Sequence, residues 1–180
     1  MERLPVGVVV VNWNGGALLD ACLDALDPQG ASRLLVVDNG SEPDEVRRLA
    51  NRDGVFVLPL GANRGFAPAS NAGAVDARLK ALPFLAFVNN DAVLEPGYLA
   101  ACVAALEADP GLSAVQGVVL DADGTRVDGL GLGWNRRHEA VQLGHGGGAR
   151  VEVAKAVVEP VGDVDADRQE GEKFDHRLEG

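Results

Sequence analysis

Apolar and polar positions alternate along this chain in blocks of two kinds. Short apolar runs at Val6–Val11, Leu34–Val37, Val55–Leu60 and Phe84–Val88 read as four strands, the first of them, a near-continuous β-branched run, buried on both faces. Between them the apolar residues recur at helical spacing. Leu19, Cys22, Leu23 and Leu26 predict a first helix, closed by "DPQG". "DNGSEPDEV" predicts a turn and then a short helix through Leu49, with Ser41 and Asp44 placed as a capping box and Pro43 in the first turn. A third helix opens after "GANRG" with Pro68 in its first turn and an apolar side carrying Ala74, Ala77 and Leu82. Leu99, Cys102, Val103 and Leu106 mark the fourth, stopped by "DPG". Ser113–Leu120 is a further expected strand, and "DADG" turns it toward Thr125–Val127 as a hairpin partner.

Beyond about Gly129 the pattern thins into a glycine-rich, loop-like stretch with Trp134 as its one large anchor. The segment from Glu159 to Gly180 is acidic with few apolar residues, which predicts a poorly ordered tail. Two units follow: a folded domain over residues 1–150 and a tail over 151–180.

Strands alternating with helices on this rhythm predict an α/β fold, a mostly parallel sheet flanked by helices with right-handed crossovers. Ligands of such sheets bind at the carboxyl ends of the strands. "NWN", "DNGS", "GANRG" and "NND", each placed just after a strand, are therefore expected to face one crevice.

Composition narrows the class. A hydrophobic content of 47% in 180 residues supports a single globular core, and 4% aromatics means that Ala, Val and Leu must build it. The net charge of -11 opposes binding to a nucleic-acid polymer, whose affinity comes from Lys and Arg displacing counterions. Cys22 and Cys102 fall on apolar helix faces far apart in sequence, so buried free thiols and a reducing, cytoplasmic setting are expected. The N-terminal apolar run is broken by Asn12 and Asn14, too short to span a bilayer and without a signal-peptide cleavage pattern.

Several chemistries lack their motifs. There is no G-x-G-x-x-G turn, no P-loop and no G-x-S-x-G elbow. A nucleotidyltransferase would want a basic loop after the first strand, and "NWNGG" carries neither Lys nor Arg. His138, His145 and His176 lie in loop or tail sequence and read as surface residues.

What remains is a crevice of amides, carboxylates and small residues. Asp38 could accept hydrogen bonds from a base N–H or a ribose hydroxyl, or it could simply serve the Asp-Asn-Gly-Ser turn. Asp91 could ligate a hard divalent cation completed by diphosphate oxygens and water, or be a solvated residue before a helix. Gly65 could let backbone approach a ligand contacted by Asn63 or Arg64, or merely turn the chain into a helix. With the amides of "NWN" after the first strand, polar groups at four successive strand ends favour the ligand.

"VVVVNWNGGALLDACLDAL", "LLVVDNGS", "NRGFAPASNAG" and "FVNNDAVLEPGYL", in this order, resemble the nucleotide-sugar-binding half of the family 2 glycosyltransferases of GT-A fold, in particular a bacterial rhamnosyltransferase-like branch. "DADGTRVDGLGLGWN" is similar to the hairpin that follows the sheet in that branch, and the resemblance spans roughly the first 145 residues. It implies a UDP or dTDP sugar as donor, Mg²⁺ or Mn²⁺ as cofactor, and a glycan or lipid-linked acceptor, in the cytoplasm or peripherally at the inner membrane face. Residue by residue it implies that Asn12 and Asn14 sit beside the nucleoside and that Asp38 binds the base or ribose. Asn63, Gly65 and Asn71 would line the nucleotide pocket, and Asn90 and Asp91 would hold the ribose and the metal-bound diphosphate. "NND" then stands for the family's D-x-D, with Asn89 replacing the first Asp and weakening cation affinity. The family's general base lies in an acceptor half that has no counterpart in the sequence after about residue 150. The expectation is a shortened or truncated relative that binds donor with impaired transfer. Apolar surface left where an acceptor half would pack would favour self-association.

Overall fold

The computed structural model describes residues 3–129, 132–134 and 140–142. β1 (Leu4–Asn12), β2 (Ala31–Asp38), β3 (Val55–Pro59) and β4 (Phe84–Asn89) form one sheet in the order β3-β2-β1-β4. Every pairing in it is parallel, so the α/β expectation holds and all four carboxyl ends lie on one side. Among the described residues the α-helices are α1 (Gly16–Leu26), α2 (Pro43–Ala50), α3 (Phe66–Ala74) and α4 (Tyr98–Ala108).

Side-chain alternation along β1 divides the core. Val6, Val8 and Val10 pack with Leu19, Cys22, Leu23 and Leu26 of α1, Leu49 of α2 and Leu99 and Val103 of α4. Val9 faces the other way and packs with Leu35, Val37, Ala69 of α3 and Leu79. Thus β1 is covered on both sides, which is why its sequence is a continuous β-branched run. Because α1 covers one face and α3 the other, the order reverses between β1 and β4, the kind of position where open α/β sheets bind ligands. α3 lies close to the sheet at Gly73, where a Cβ would stand 2.5 Å from Val9 Cγ1 and 2.9 Å from Val37 Cγ2.

Four local expectations are corrected. The third helix does not continue through Ala77 and Leu82 but ends at Ala74. There the Asp76 side chain accepts from the Arg78 backbone N–H at 2.9 Å and from its guanidinium at 2.7 Å, a local turn that outcompetes the helix and delivers Leu79 into the core. Ser41 and Asp44 form no capping box. α2 begins after Glu42, whose N–H is met by Asn14 Oδ1 at 2.9 Å, while Ser41 Oγ is taken by the Asn14 N–H at 2.9 Å.

The strand expected over Ser113–Leu120 is confined to β5 (Val119–Leu120), since Gly117 N–H instead donates to the Tyr98 hydroxyl at 2.9 Å. The hairpin itself forms: β5 pairs antiparallel with β6 (Val127–Gly129), around a turn in which Asp121 Oδ1 accepts from the N–H groups of Thr125 and Arg126. Finally, the stretch read as loop contains a second antiparallel pair, β7 (Leu132–Trp134) with β8 (Ala140–Gln142). Three-residue strands are too short to leave a period in the sequence. The acidic tail and the three histidines lie outside the described residues.

Both cysteines are free; Cys22 is buried as expected, whereas Cys102 is only half-buried. Burial and, second to it, the Asp91 charge push the Cys22 thiol up to about 11, so it behaves as an apolar group. Among the described residues no helix is long and apolar enough to cross a membrane.

Candidate functional site

The carboxyl ends of β1 and β4 meet through their amides. Asn12, fully buried, accepts on Oδ1 from the Gly15 N–H at 3.1 Å and from Asn90 Nδ2 at 3.2 Å. Its Nδ2 donates to Glu45 Oε1 at 3.0 Å and to Ser41 Oγ at 3.3 Å. Every polar valence of this amide is therefore spent inside the protein. Gly15 is required by space: a Cβ there would lie 2.5 Å from Asn12 Oδ1 and 2.8 Å from Asn90 Nδ2.

Asn14 takes a left-handed conformation, φ 52°, which asparagine tolerates better than most side chains. This lets both its N–H and its Oδ1 reach the β2–α2 loop.

Asp38 closes β2 and is 2% exposed. Its Oδ2 accepts from the N–H groups of Gly40 and Ser41, each at 3.3 Å, which is the turn chemistry expected of Asp-Asn-Gly-Ser. Its Oδ1 is buried without a hydrogen-bond partner among the described residues. A buried carboxylate oxygen left unpaired is costly, on the order of 1–3 kcal/mol or more.

The next residue, Asn39, is also buried, at 3% exposed, and governs the loop after β3. It donates to Asn63 Oδ1 at 3.1 Å and accepts on Oδ1 from the Arg64 N–H at 2.8 Å. Asn63 Oδ1 also accepts from the Gly65 N–H at 2.9 Å. Gly40 lets the two loops touch, since a Cβ on it would stand 2.6 Å from Asn63 N. Gly65, at φ 87°, then turns the chain into α3.

The structure thus joins Asn12 to Asn90 directly, ties Asn14 to the β2–α2 loop, and links Asn63 and Gly65 to the end of β2 through Asn39. Asn71 stands apart from these contacts, exposed on α3. Asp91 is exposed just beyond β4 and close enough to Cys22 to raise its pKa. Among the described residues no three Asp, Glu, Cys or His side chains group into a metal site.

Asn39 and Glu45 were not singled out from sequence. The Asp-Asn-Gly-Ser turn explains Asn39 without any partner, and an acid in the first turn of a helix reads as a complement to the helix dipole. Glu45 instead faces Asn12, and its Oε1 also accepts from the Gly16 N–H at 3.2 Å. Burial pushes the Glu45 carboxyl up, but the hydrogen bonds from Asn12, Gly16 and Arg48 outweigh it and hold it below its ordinary range.

No curated protein matches the chain. Among solved structures, the chain is similar to "Crystal structure of S. aureus TarS 1-349", with 21% identity and a TM-score of 0.45 over 60% of this chain. It spans only 33% of that protein. The family described as Glycosyl transferase family 2 matches residues 7–153, which takes in β1 from Gly7 onward, the whole of β2, β3 and β4, and the polar ends of all four. The chain belongs to glycosyl transferase family 2.

Proposed function

We propose that the crevice at the ends of β1, β2 and β4 binds a nucleoside-diphosphate sugar, a UDP or dTDP sugar, for transfer of the sugar to a hydroxyl of a glycan or lipid-linked acceptor. Family membership supports sugar transfer from a nucleotide donor. The observation that carries the reading is Asp38 Oδ1, buried and unpartnered at a strand end. A carboxylate oxygen is an acceptor, so a hydrogen-bond donor of the ligand suits this position. A base N–H or ribose hydroxyl supplies one, and a diphosphate does not. Asn12, with no valence left, serves the site as floor; the loop contacts of Asn14, Asn63 and Gly65 support their bordering it, whereas Asn71, exposed on α3 away from these contacts, would reach only a ligand that extends over that helix.

Asp91 fits a divalent cation in one way only. As a single exposed carboxylate it would hold Mg²⁺ or Mn²⁺ together with ligand oxygens and water, the usual composition of a Mg²⁺ site at a diphosphate. When bound, such an ion supplies Lewis-acid stabilisation of the departing diphosphate. The protein's own contribution is to fix the nucleoside at Asp38 and to keep its amides in one orientation before the donor arrives, which favours reaction through positioning.

A thermal-shift panel of UDP, dTDP, GDP, ADP and NAD, each with and without Mn²⁺, tests this. At a hundredfold excess over its dissociation constant a ligand of the native state adds about 2.7 kcal/mol of stability. The expected result is a metal-dependent shift with UDP or dTDP that is reduced in Asp91→Ala. No shift with any nucleotide, or an undiminished one in Asp91→Ala, contradicts the respective assignment.

A further inference from the structure

We propose that Glu45 is a positioning residue for this crevice, acting through Asn12 and together with the Gly15 N–H to hold the Asn90 amide with one end offered to the ligand. The inference rests on the nucleotide-binding reading of the site and deepens it.

Glu45 Oε1 lies 3.0 Å from one terminus of the Asn12 amide and 3.2 Å from the Gly16 N–H, and a carboxylate can only accept. The Asn12 terminus facing Glu45 is therefore the NH₂. Its oxygen must then face the other way, where the Gly15 N–H meets it at 3.1 Å, an independent donor that requires the same orientation. Asn90, at 3.2 Å from that oxygen, has to answer with its own NH₂. Asn90 Oδ1 is left as the free end, with no hydrogen bond to any described residue. The half-exposed Asn90 thus presents an acceptor, suited to a hydroxyl and not to a phosphate oxygen.

Glu45 is itself held. Arg48 Nη2 contacts Glu45 Oε2 at 3.3 Å, and Arg48 also pairs with Asp20 of α1. The Glu45 side chain is 13% exposed, so water competes poorly for these bonds. One acceptor on α2 accordingly sets the orientation of two amides up to the end of β4. Amides alone could not do this, because a pair of asparagines can flip together at no loss between themselves.

The test compares wild-type protein with Glu45→Met, Glu45→Gln and Leu49→Val. Glutamine can place its carbonyl where Oε1 stands, whereas methionine offers no acceptor. Leu49→Val trims a buried residue of α2 and serves as a stability control. In ligand-free protein, the side-chain NH₂ resonances of Asn12 and Asn90 should both move in Glu45→Met and return in Glu45→Gln. With UDP and Mn²⁺, affinity should fall about tenfold in Glu45→Met, recover most of that loss in Glu45→Gln, and be unchanged in Leu49→Val. Unmoved Asn90 resonances in folded Glu45→Met protein, or equal affinity losses in Glu45→Met and Glu45→Gln, overturn the proposal. If wild-type protein binds no nucleotide, the nucleotide reading fails by itself, and the ligand-free resonances still decide whether Glu45 orients Asn90.

Discussion

Asn90 donates a hydrogen bond to Asn12 Oδ1 at 3.2 Å across a sequence separation of 78 residues. It joins the two strands between which the sheet order reverses, so the place where a parallel sheet opens to a ligand is here closed at its base by paired amides. Gly15 is the condition for that contact, and its substitution is the first test.

Gly15→Ala puts a Cβ where Asn12 Oδ1 and Asn90 Nδ2 already stand, at 2.5 and 2.8 Å. The expected cost is about 1–3 kcal/mol of stability, with loss of any nucleotide response. Gly16→Ala is the contrast, because its φ of +53° strains alanine while nothing lies within 4 Å of the new atom. It should cost about 1–2 kcal/mol and keep the nucleotide response. Urea denaturation and thermal shift of the two variants separate the effects.

Gly73→Ala drives a methyl into Val9 and Val37, at 2.5 and 2.9 Å, and should lift α3 from the sheet at about 1–3 kcal/mol. Val9→Ala removes the closer neighbour. The double variant should therefore be more stable than the sum of the two single losses predicts, a coupling that a double-mutant cycle measures directly.

Asn39→Ala removes the acceptor of the Arg64 N–H and the donor to Asn63 Oδ1. A loss of about 1–3 kcal/mol is expected from the buried groups left unpaired. Amide hydrogen exchange at Arg64 should accelerate well beyond that of β1, which shows that the loop after β3 has been released and not merely the whole protein destabilised.

Acid titration tests the charge on Glu45. Its carboxyl is held below the ordinary value of 4.5 in the folded state, so its contribution is fully present above that value and is lost as pH falls through the depressed folded value. Asp76, lowered chiefly by its hydrogen bond from Arg78, acts in the same direction from 3.8 downward. Stability should hold from pH 7 to about 5 and then decline. Glu45→Gln should flatten the upper part of the decline, which denaturation at stepped pH will show.

The four parallel strands and the polar residues at their ends were legible in sequence because both depend on local pattern. Continuous runs such as Val6–Val11 can only be buried on two sides, and the residues that stop them are polar for a reason that survives without a structure. The misreadings arose where a local pattern was satisfied by a distant partner or broken by a near one. Ala77 and Leu82 fit a helical period, yet Asp76 and Arg78 close a turn inside it. Ser41 looked like a cap and is instead claimed by the Asn14 N–H. Glu45 and Asn39 act across 33 and 24 residues of sequence to Asn12 and Asn63, separations at which no spacing rule operates.

The claim that carries most weight is that the unpaired Asp38 Oδ1 awaits a nucleoside donor. A crystal structure of the protein with UDP or dTDP and Mn²⁺ measures this directly. The account predicts a base N–H or ribose hydroxyl at about 2.7–3.0 Å from Asp38 Oδ1, in a crevice bordered by Asn14, Asn63 and Asn90. A nucleotide bound elsewhere, with Asp38 Oδ1 still unpaired, would contradict it.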